Sequence, residues 1–393
     1  MPLVIPARRA RPRLMIGPSS NDYYASLAEY MLSFSYNDNL GKADDLQLKL
    51  ADPESRFIND SFPLKGAQVI DAAIICTNLG MDFPPQITLD CGTFEIDDIS
   101  YAEPPNVILV KANSIPCTST IKSSKKIRAW ESKDLNAIAT DIAGENSMTV
   151  RYDTQENPRF KRIEQNDVSD LKFLQKQADA AGLKMKIKRR EIIIFDEKSY
   201  EEKAPSFTLT RGEGWIINVG FRTKLADTAK KSKVSYTDPE TGKVTRAEFS
   251  DPDPDFLYTG ELADYDNPHG EPDESDPDPD PFAPTLYADV PPLIDYDTTQ
   301  NAPSKNRGKG AGLQKKSEKK AKGNLRKANR HRDTAQFLLH GMPLCASGQT
   351  CLLAGYGKWD GKYLIEGAAH SIEGKKSFTT KLQMHRELAS KGY

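Results

Sequence analysis

At 393 residues the chain is long enough for two or three domains and a sizeable core, and its 54 basic against 56 acidic side chains argue against coating nucleic acid along its whole length. It contains no apolar run of the ~18 residues a spanning helix needs, and the N-terminal MPLVIPARRARPRLMIGPSS carries arginines without an apolar h-region, so neither a membrane span nor a Sec signal is expected and folding in a cytosol is.

Residues 1–118 read as β-rich. Short runs such as LQLKLAD, QVIDAAIICT, CGTFEIDDISY and NVILVKANSI are separated by Gly, Pro and Asp clusters, a spacing that suits a barrel or a sandwich. One helix is expected over Tyr23 to Leu32, after the cap candidates Ser20 and Asn21.

Residues 119–204 form an α+β module. Asp167 is a candidate helix cap with Asp170 in the first turn, where exposed backbone N–H groups favour a carboxylate. Leu171, Leu174, Ala178 and Ala181 then fall on one face. Gly182 is placed to end the helix in a left-handed conformation. Leu183, Met185 and Ile187 alternate with lysines as in a half-exposed strand, and Arg189-Arg190 can turn the chain into the β-rich run Glu191 to Phe195. A similar phrase lies 36 residues earlier: Leu135, Ile138 and Ile142 align with Leu171, Leu174 and Ala178, and lead through Gly144 into Met148, Val150 and Tyr152. Two aligned segments fit either a repeat or two ordinary amphipathic helices.

From 205 to 247 β character returns, with KVSYTDPETGKVTRAEF reading as a hairpin around Pro-Glu-Thr-Gly. Composition then shifts. Residues 251–299 carry fifteen Asp or Glu, ten Pro and no Lys or Arg, and residues 305–332 carry twelve Lys or Arg and one Glu. This insertion, 248–332, reads as an acidic Pro-rich loop followed by a basic helix over 315–332. Both are either solvated or face partner subunits or a lumen, with Lys315, Lys316, Lys319 and Lys320 as candidate interface residues. Residues 333–393 are β-like again, so the second β region is discontinuous.

Catalytic and metal motifs are not evident. The five cysteines make no C-x-x-C pair, and the five histidines never fall at i, i+4. No H-E-x-x-H or P-loop occurs, and no two carboxylates are singled out by spacing. His370, inside YLIEGAAHSI, reads as structural. No catalytic residue, cofactor or metal is expected. The basic segment 305–332 allows an alternative, nucleic-acid binding by a late-gene regulator, although it lacks aromatics for base stacking and a helix-turn-helix companion.

The stretches ARRARPRLMI, SYNDNLGKADDLQLKLAD with FPLKGAQV, DCGTFEIDDISYAEPPNVILVKANSI, KIRAWES, IEQNDVSDLKFLQKQADAAGLKMKI and LLAGYGKWDGKYLIEGAAHSIEGKKSFTTKLQMHR resemble, in order, the phage late control D family. Those proteins are baseplate hubs of contractile tails and related injection systems. The acidic insertion departs from that pattern. The resemblance implies an α+β fold class: two tail-tube-like antiparallel β-barrels flanking an α/β domain. It also implies a non-enzymatic structural protein of the virion tail baseplate, made in the host cytoplasm. Three subunits would form a ring that adapts a sixfold tube above to a threefold spike below, around a central channel. Tape measure, baseplate wedge or LysM-type adaptor proteins would be further partners, with no membrane anchor and no specific nucleic acid.

Overall fold

The computed structural model describes residues 8–17, 21–55, 57, 68–80, 83–117, 119–224, 228–229, 231–237, 244–251, 285–289, 321–374 and 377–389. The first region contains β1 (Arg9–Ile16), α1 (Tyr24–Leu27), β2 (Met31–Asn39), β3 (Asp45–Ala51), β4 (Val69–Thr77), β5 (Gln86–Ala102) and β6 (Val107–Asn113). Strict alternation makes β3 and β6 one-sided. In β3, Leu46, Leu48 and Leu50 are buried while the residues between them are not, and β6 buries Ile108, Val110 and Ala112 in the same way. The expected helix over Tyr23 to Leu32 stops after one turn at Leu27. From Met31 the sequence MLSFSYN alternates, and Phe34 and Tyr36 gain more by facing the sheet's core than by continuing a helix.

The middle of the chain contains β7 (Lys125–Asp134), α2 (Leu135–Glu145), β8 (Thr149–Asp153), β9 (Arg159–Ser169), α3 (Asp170–Ala180), β10 (Lys184–Lys188), β11 (Glu191–Phe195) and α4 (Glu197–Glu201). The two similar phrases are both helix–strand units. Their strands flank β11 in one three-stranded sheet, parallel to it in β8 and antiparallel in β10. Leu135, Ile138, Ile142, Leu174 and Ala178 share one core, while Leu171 is only half-buried. Asp167 does not cap α3: it adopts φ +51° in β9, which continues to Ser169, and pairs with Lys125 on the surface. Asp170 opens the helix fully buried, held by Lys126 and Arg128 at 2.7 Å each. Gly182 has φ +76°, and Arg189 and Arg190 at φ +52° and +59° make the expected turn.

The last region holds β12 (Phe207–Thr210), β13 (Ile216–Thr223), β14 (Lys231–Thr237), β15 (Val244–Ser250), β16 (Thr285–Asp289), a helix α5 over 321–329, β17 (Asp333–His340), β18 (Thr350–Ala354), β19 (Gly361–Glu373) and β20 (Ser377–Arg386). β14 and β15 form the expected antiparallel pair, whose turn lies outside the described residues. They build a sheet of their own with β16, which joins β14 in parallel from within the segment read as an acidic loop. α5 is not a solvated helix. Ala321, Leu325 and Asn329 recur at i, i+4, i+8 and are fully buried, packing with Ala229, Val234, Phe249 and Leu388.

Most strands belong to one mostly antiparallel sheet of twelve, in the order β1-β4-β5-β6-β3-β2-β19-β20-β17-β13, with β18 beside β19 and β12 beside β18. The ladders trace an open path, and closure into two barrels is not seen among the described residues. β2, which ends the first region's path, is instead occupied by β19. The path contains the same topology twice. In chain order the first six strands lie as β1-β4-β5-β6-β3-β2, and the last six lie as β12-β18-β19-β20-β17-β13.

The register repeats as well. Ser35↔Gln47, Gln47↔Lys111 and Lys111↔Asp98 in the first correspond to Gly220↔Gln336, Gln336↔Gln383 and Gln383↔Gly367 in the second. In this alignment two irregularities coincide, Leu32 with Ile217 and Asp97 with Glu366, while a third, at Ala72/Ala73 in β4–β5, has no counterpart in β18–β19. Leu32 and Ile217 are also matched in exposure, at 41% and 43%. The copies differ in direction at one ladder, since β1–β4 is antiparallel and β12–β18 parallel, and β18–β19 is shorter than β4–β5.

Candidate functional site

Three places concentrate polar or exposed groups. At the first, β2, β10 and the loop before β18 meet. Lys186 bridges Asp38 and Asp44, the latter at 3.1 Å, while the Ser347 amide donates to Asp38 at 2.8 Å. Tyr36 donates to Asp44 at 3.1 Å and stacks on His370, whose two ring nitrogens contact Thr380 and the Cys345 carbonyl. Burial opposes the Asp38 charge, but Lys186 and Lys188 outweigh it and hold its pKa down. Asp44 shares the same lysines and is pushed by burial up to about 6; burial drives His370 down to about 4. Perturbed carboxylates of this kind mark some active sites. Here Asp38, Asp44 and Lys186 are no more than 7% exposed and are satisfied by one another, so the cluster joins three parts of the fold.

At the second place, α4, β19, β20 and α5 converge. Arg330 lies 2.6 Å from Glu197 and 2.8 Å from Glu366, and Arg326 lies 2.6 Å from Glu201. Fully buried His385 contacts Glu366 through Nδ1 at 2.9 Å and Glu201 through Nε2 at 3.0 Å. The second Glu201 oxygen accepts the Leu388 and Ala389 amides. Burial disfavours the imidazolium, yet Glu201 and Glu366 raise the His385 pKa to about 9. The same contacts, with the arginines, overcome burial and lower Glu201 and Glu366 to about 2. Three carboxylates thus face three cations. Glu197, Glu366 and His385 have donor atoms close enough together to hold a metal ion. Arg330 already spans the two carboxylates and both His385 nitrogens are engaged, so the charge an ion would bring is supplied by side chains.

The third place is the sheet's open end. β13 pairs with β17 on one side and, among the described residues, with no strand on the other. Beside it lies a cleft of about 590 Å³ with Phe221, Tyr356 and Trp359 on its wall, Phe221 stacked on Trp359 at 5.0 Å. The β4 ladder on β5 ends at Glu95, and among the described residues Asp97 to Ala102 pairs with β6 alone, with Ile99 39% and Tyr101 37% exposed. The β1 end is different. Leu14 is engaged by Asp22 and Tyr23, and Pro12 has no N–H to offer.

The interface candidates Lys315, Lys316, Lys319 and Lys320 lie outside the described residues. Of the basic segment, Arg326, Arg330 and Arg332 are committed to carboxylates of the same chain, Arg332 facing Asp251 and Asp333. Sequence reasoning missed Glu201, Glu366 and His385. The one signal available was the i, i+4 spacing of Arg326 and Arg330, which puts both guanidinium groups on one side of a helix.

No protein-family model matches the chain. Its sequence is similar to phage baseplate hub proteins. A probable baseplate hub protein of Escherichia phage 186 is 24% identical over 243 residues, 60% of this chain and 59% of that protein. The corresponding protein of Escherichia phage P2 is 24% identical over 237 residues, 58% of each. The matched stretch therefore spans under two thirds of these curated relatives. In structure the chain is similar to a 43 kDa tail protein of prophage MuSo2 from Shewanella oneidensis, with a TM-score of 0.62, 12% identity and 96% and 99% of the two chains covered. A tail protein from Neisseria meningitidis MC58 gives a TM-score of 0.64 at 11% identity, covering 98% of each chain. An Escherichia coli type VI secretion system component, described as structurally similar to T4 bacteriophage tail proteins, gives 0.52 at 11% identity, covering 95% of this chain and 77% of that one. The mostly antiparallel β fold is the fold of phage tail proteins.

Proposed function

We propose that this chain is a structural hub of a phage tail baseplate or an equivalent injection particle. Three copies form a ring that joins a sixfold tail tube to a threefold spike around a central channel. The observation that carries this reading is the duplicated six-stranded topology with its matching register irregularities. Three copies of a chain with two like sheets present six like surfaces about an axis, and head-to-tail contacts closed by rotation give a ring, not a filament. The similarity to proteins named as baseplate hubs supports it. The parts are a first β domain over 1–118, an α+β module over 119–204, a discontinuous second β domain over 205–247 and 333–393, and an insertion over 248–332. Tube and spike proteins are the principal partners, with tape measure and wedge or LysM-type proteins beside them, and the role requires no catalysis. The nucleic-acid reading is weakened by the commitment of Arg326, Arg330 and Arg332 to internal carboxylates, which leaves them unable to face phosphates.

Native mass spectrometry of the chain with its spike partner tests the proposal. Three copies of each are expected, and a stable complex with two or six copies of this chain per three spike chains would overturn it.

A further inference from the structure

The two repeats differ in what joins their first strand in the chain to their second. β1 leads to β2 through residues 17–30, which include α1, whereas β12 leads to β13 through 211–215 alone. The strands that follow still match. The Tyr30 carbonyl accepts from the Ala51 amide at 2.7 Å, and the Trp215 carbonyl accepts from the His340 amide at 2.8 Å, which carries the alignment back to the last residue of each connection. The second repeat therefore has no counterpart of α1.

Burial registers that difference. Met31, Phe34 and Tyr36 of the first repeat are at most 7% exposed. Part of the cover over their core is the 17–30 connection: Leu27, 2% exposed, joins the same apolar cluster, and Tyr23 and Tyr24 pack against it. The aligned residues of the second repeat, Ile216, Val219 and Phe221, are only half-buried, and all three line the cleft of about 590 Å³ together with Tyr356 and Trp359. That volume lies within the roughly 300–1,000 Å³ of ligand-binding clefts. The polar groups follow the same plan. Asp22, which leads into α1, accepts from the Leu14 amide at 3.1 Å and pairs with Arg11 at 2.8 Å. The exposed Arg211 stands in the lining of the cleft to meet an acidic residue in the same way, and Glu213 of the same lining is an acceptor for a tyrosine hydroxyl.

We propose that the cleft beside β13 is a docking site for a short helical segment of a partner protein, built as the α1 region is: an acidic residue, two aromatic residues after it, and a leucine one turn further on. The partner supplies to the second repeat what the first repeat carries in its own chain. An apolar helix face laid into an apolar groove is a common mode of protein recognition. This site rests on the duplication and stands whatever the number of copies in the assembly.

The test uses the full chain and a synthetic peptide of residues 20–31, SNDYYASLAEYM, with a photoreactive benzophenone side chain in place of Leu27. Irradiation should label residues 211–221 or 356–359, as read by mass spectrometry of the digest, and the unmodified peptide should compete. Val219→Asp should cut the labelling at least tenfold. Arg211→Glu, at an exposed position where folding is not at stake, should cut it severalfold, and a peptide with Asp22→Lys should restore it. Labelling scattered over the surface, or confined to the seat of α1 around Met31 and Phe34, overturns the proposal, as does charge reversal without rescue. Labelling that disappears as the chain is concentrated, with a larger species in native mass spectrometry, gives the cleft to a second copy and overturns it as well.

Discussion

His385 should set the alkaline limit of the protein's stability. Its ring lies between Glu201 and Glu366 at 3.0 and 2.9 Å, with Glu197, Arg326, Arg330 and the exposed His331 completing the surroundings. A folded pKa of about 9 against an ordinary value of 6.5 means that folding stabilises the imidazolium. At about 1.4 kcal/mol per unit this amounts to roughly 3 kcal/mol. The sign follows from the direction of the shift. The contribution is fully present below pH 6.5, where both states are charged, and is lost as pH rises through about 9. Glu201 and Glu366, lowered to about 2, remain ionised throughout that range and do not obscure it.

The perturbation is His385→Gln, which keeps a polar side chain but removes the titrating cation and leaves three carboxylates facing two arginines. Near pH 6 the variant should be less stable by about 3 kcal/mol, within the cost of breaking a buried pair. By pH 10 the difference should shrink severalfold, because the native protein has lost its proton. Urea denaturation of both proteins from pH 6 to 10 measures this. His370 and the buried thiols titrate in both proteins and cancel in the difference. Parallel stability curves over the whole range would refute a charged His385.

Leu174→Ala should cost on the order of 2 to 5 kcal/mol, since Leu174 is fully buried in the core of the α/β unit, and the half-buried Leu171→Ala should cost clearly less; equal shifts in melting temperature would mean the face of α3 is misassigned. Replacing Arg326 and Arg330 together with Gln should free α5 from Glu197, Glu201 and Glu366, seen as faster amide exchange over 321–329 with the β17–β20 ladder still protected. Unchanged exchange in α5 would show that its apolar face alone holds it.

Much of the strand layout was legible in the sequence because the period-2 signal is local. DLQLKLA and NVILVKAN write their buried faces one residue at a time. The failures came where a longer-range choice decides. MLSFSYN became strand because β3 and β19 offer it partners on both sides, which no helical cap at Asn21 can reveal. α5 was read as solvated because three lysines and arginines hide a stripe of three buried positions, and its acidic partners come from α4 and β19, over a hundred residues earlier and some forty later. The duplication itself was invisible at the level of residues. Leu32 matches Ile217, but Ser35 matches Gly220 and Asp97 matches Glu366, so it is pairing and irregularity that repeat, not side-chain identity.

The position of the insertion follows from the same alignment. In the first repeat, β2 turns into β3 through the short segment 40–44; in the second, the corresponding connection between β13 and β17 spans 224–332. Both ends of this excursion are tied together at its base. Asn329 pairs with the Ala229 backbone and with Asp251, and the Arg332 guanidinium faces Asp251 and Asp333. A closed base of this kind lets a long connection be added at modest entropic cost without disturbing the ladders on either side. In the proposed ring, six like sheets then repeat around the axis while every second hairpin bears an arm. The sheets keep the near-sixfold surface a tube requires, and the arms reduce the symmetry to the threefold of a spike. On this argument the insertion is where one chain can satisfy two symmetries, because it marks one of two otherwise equivalent repeats.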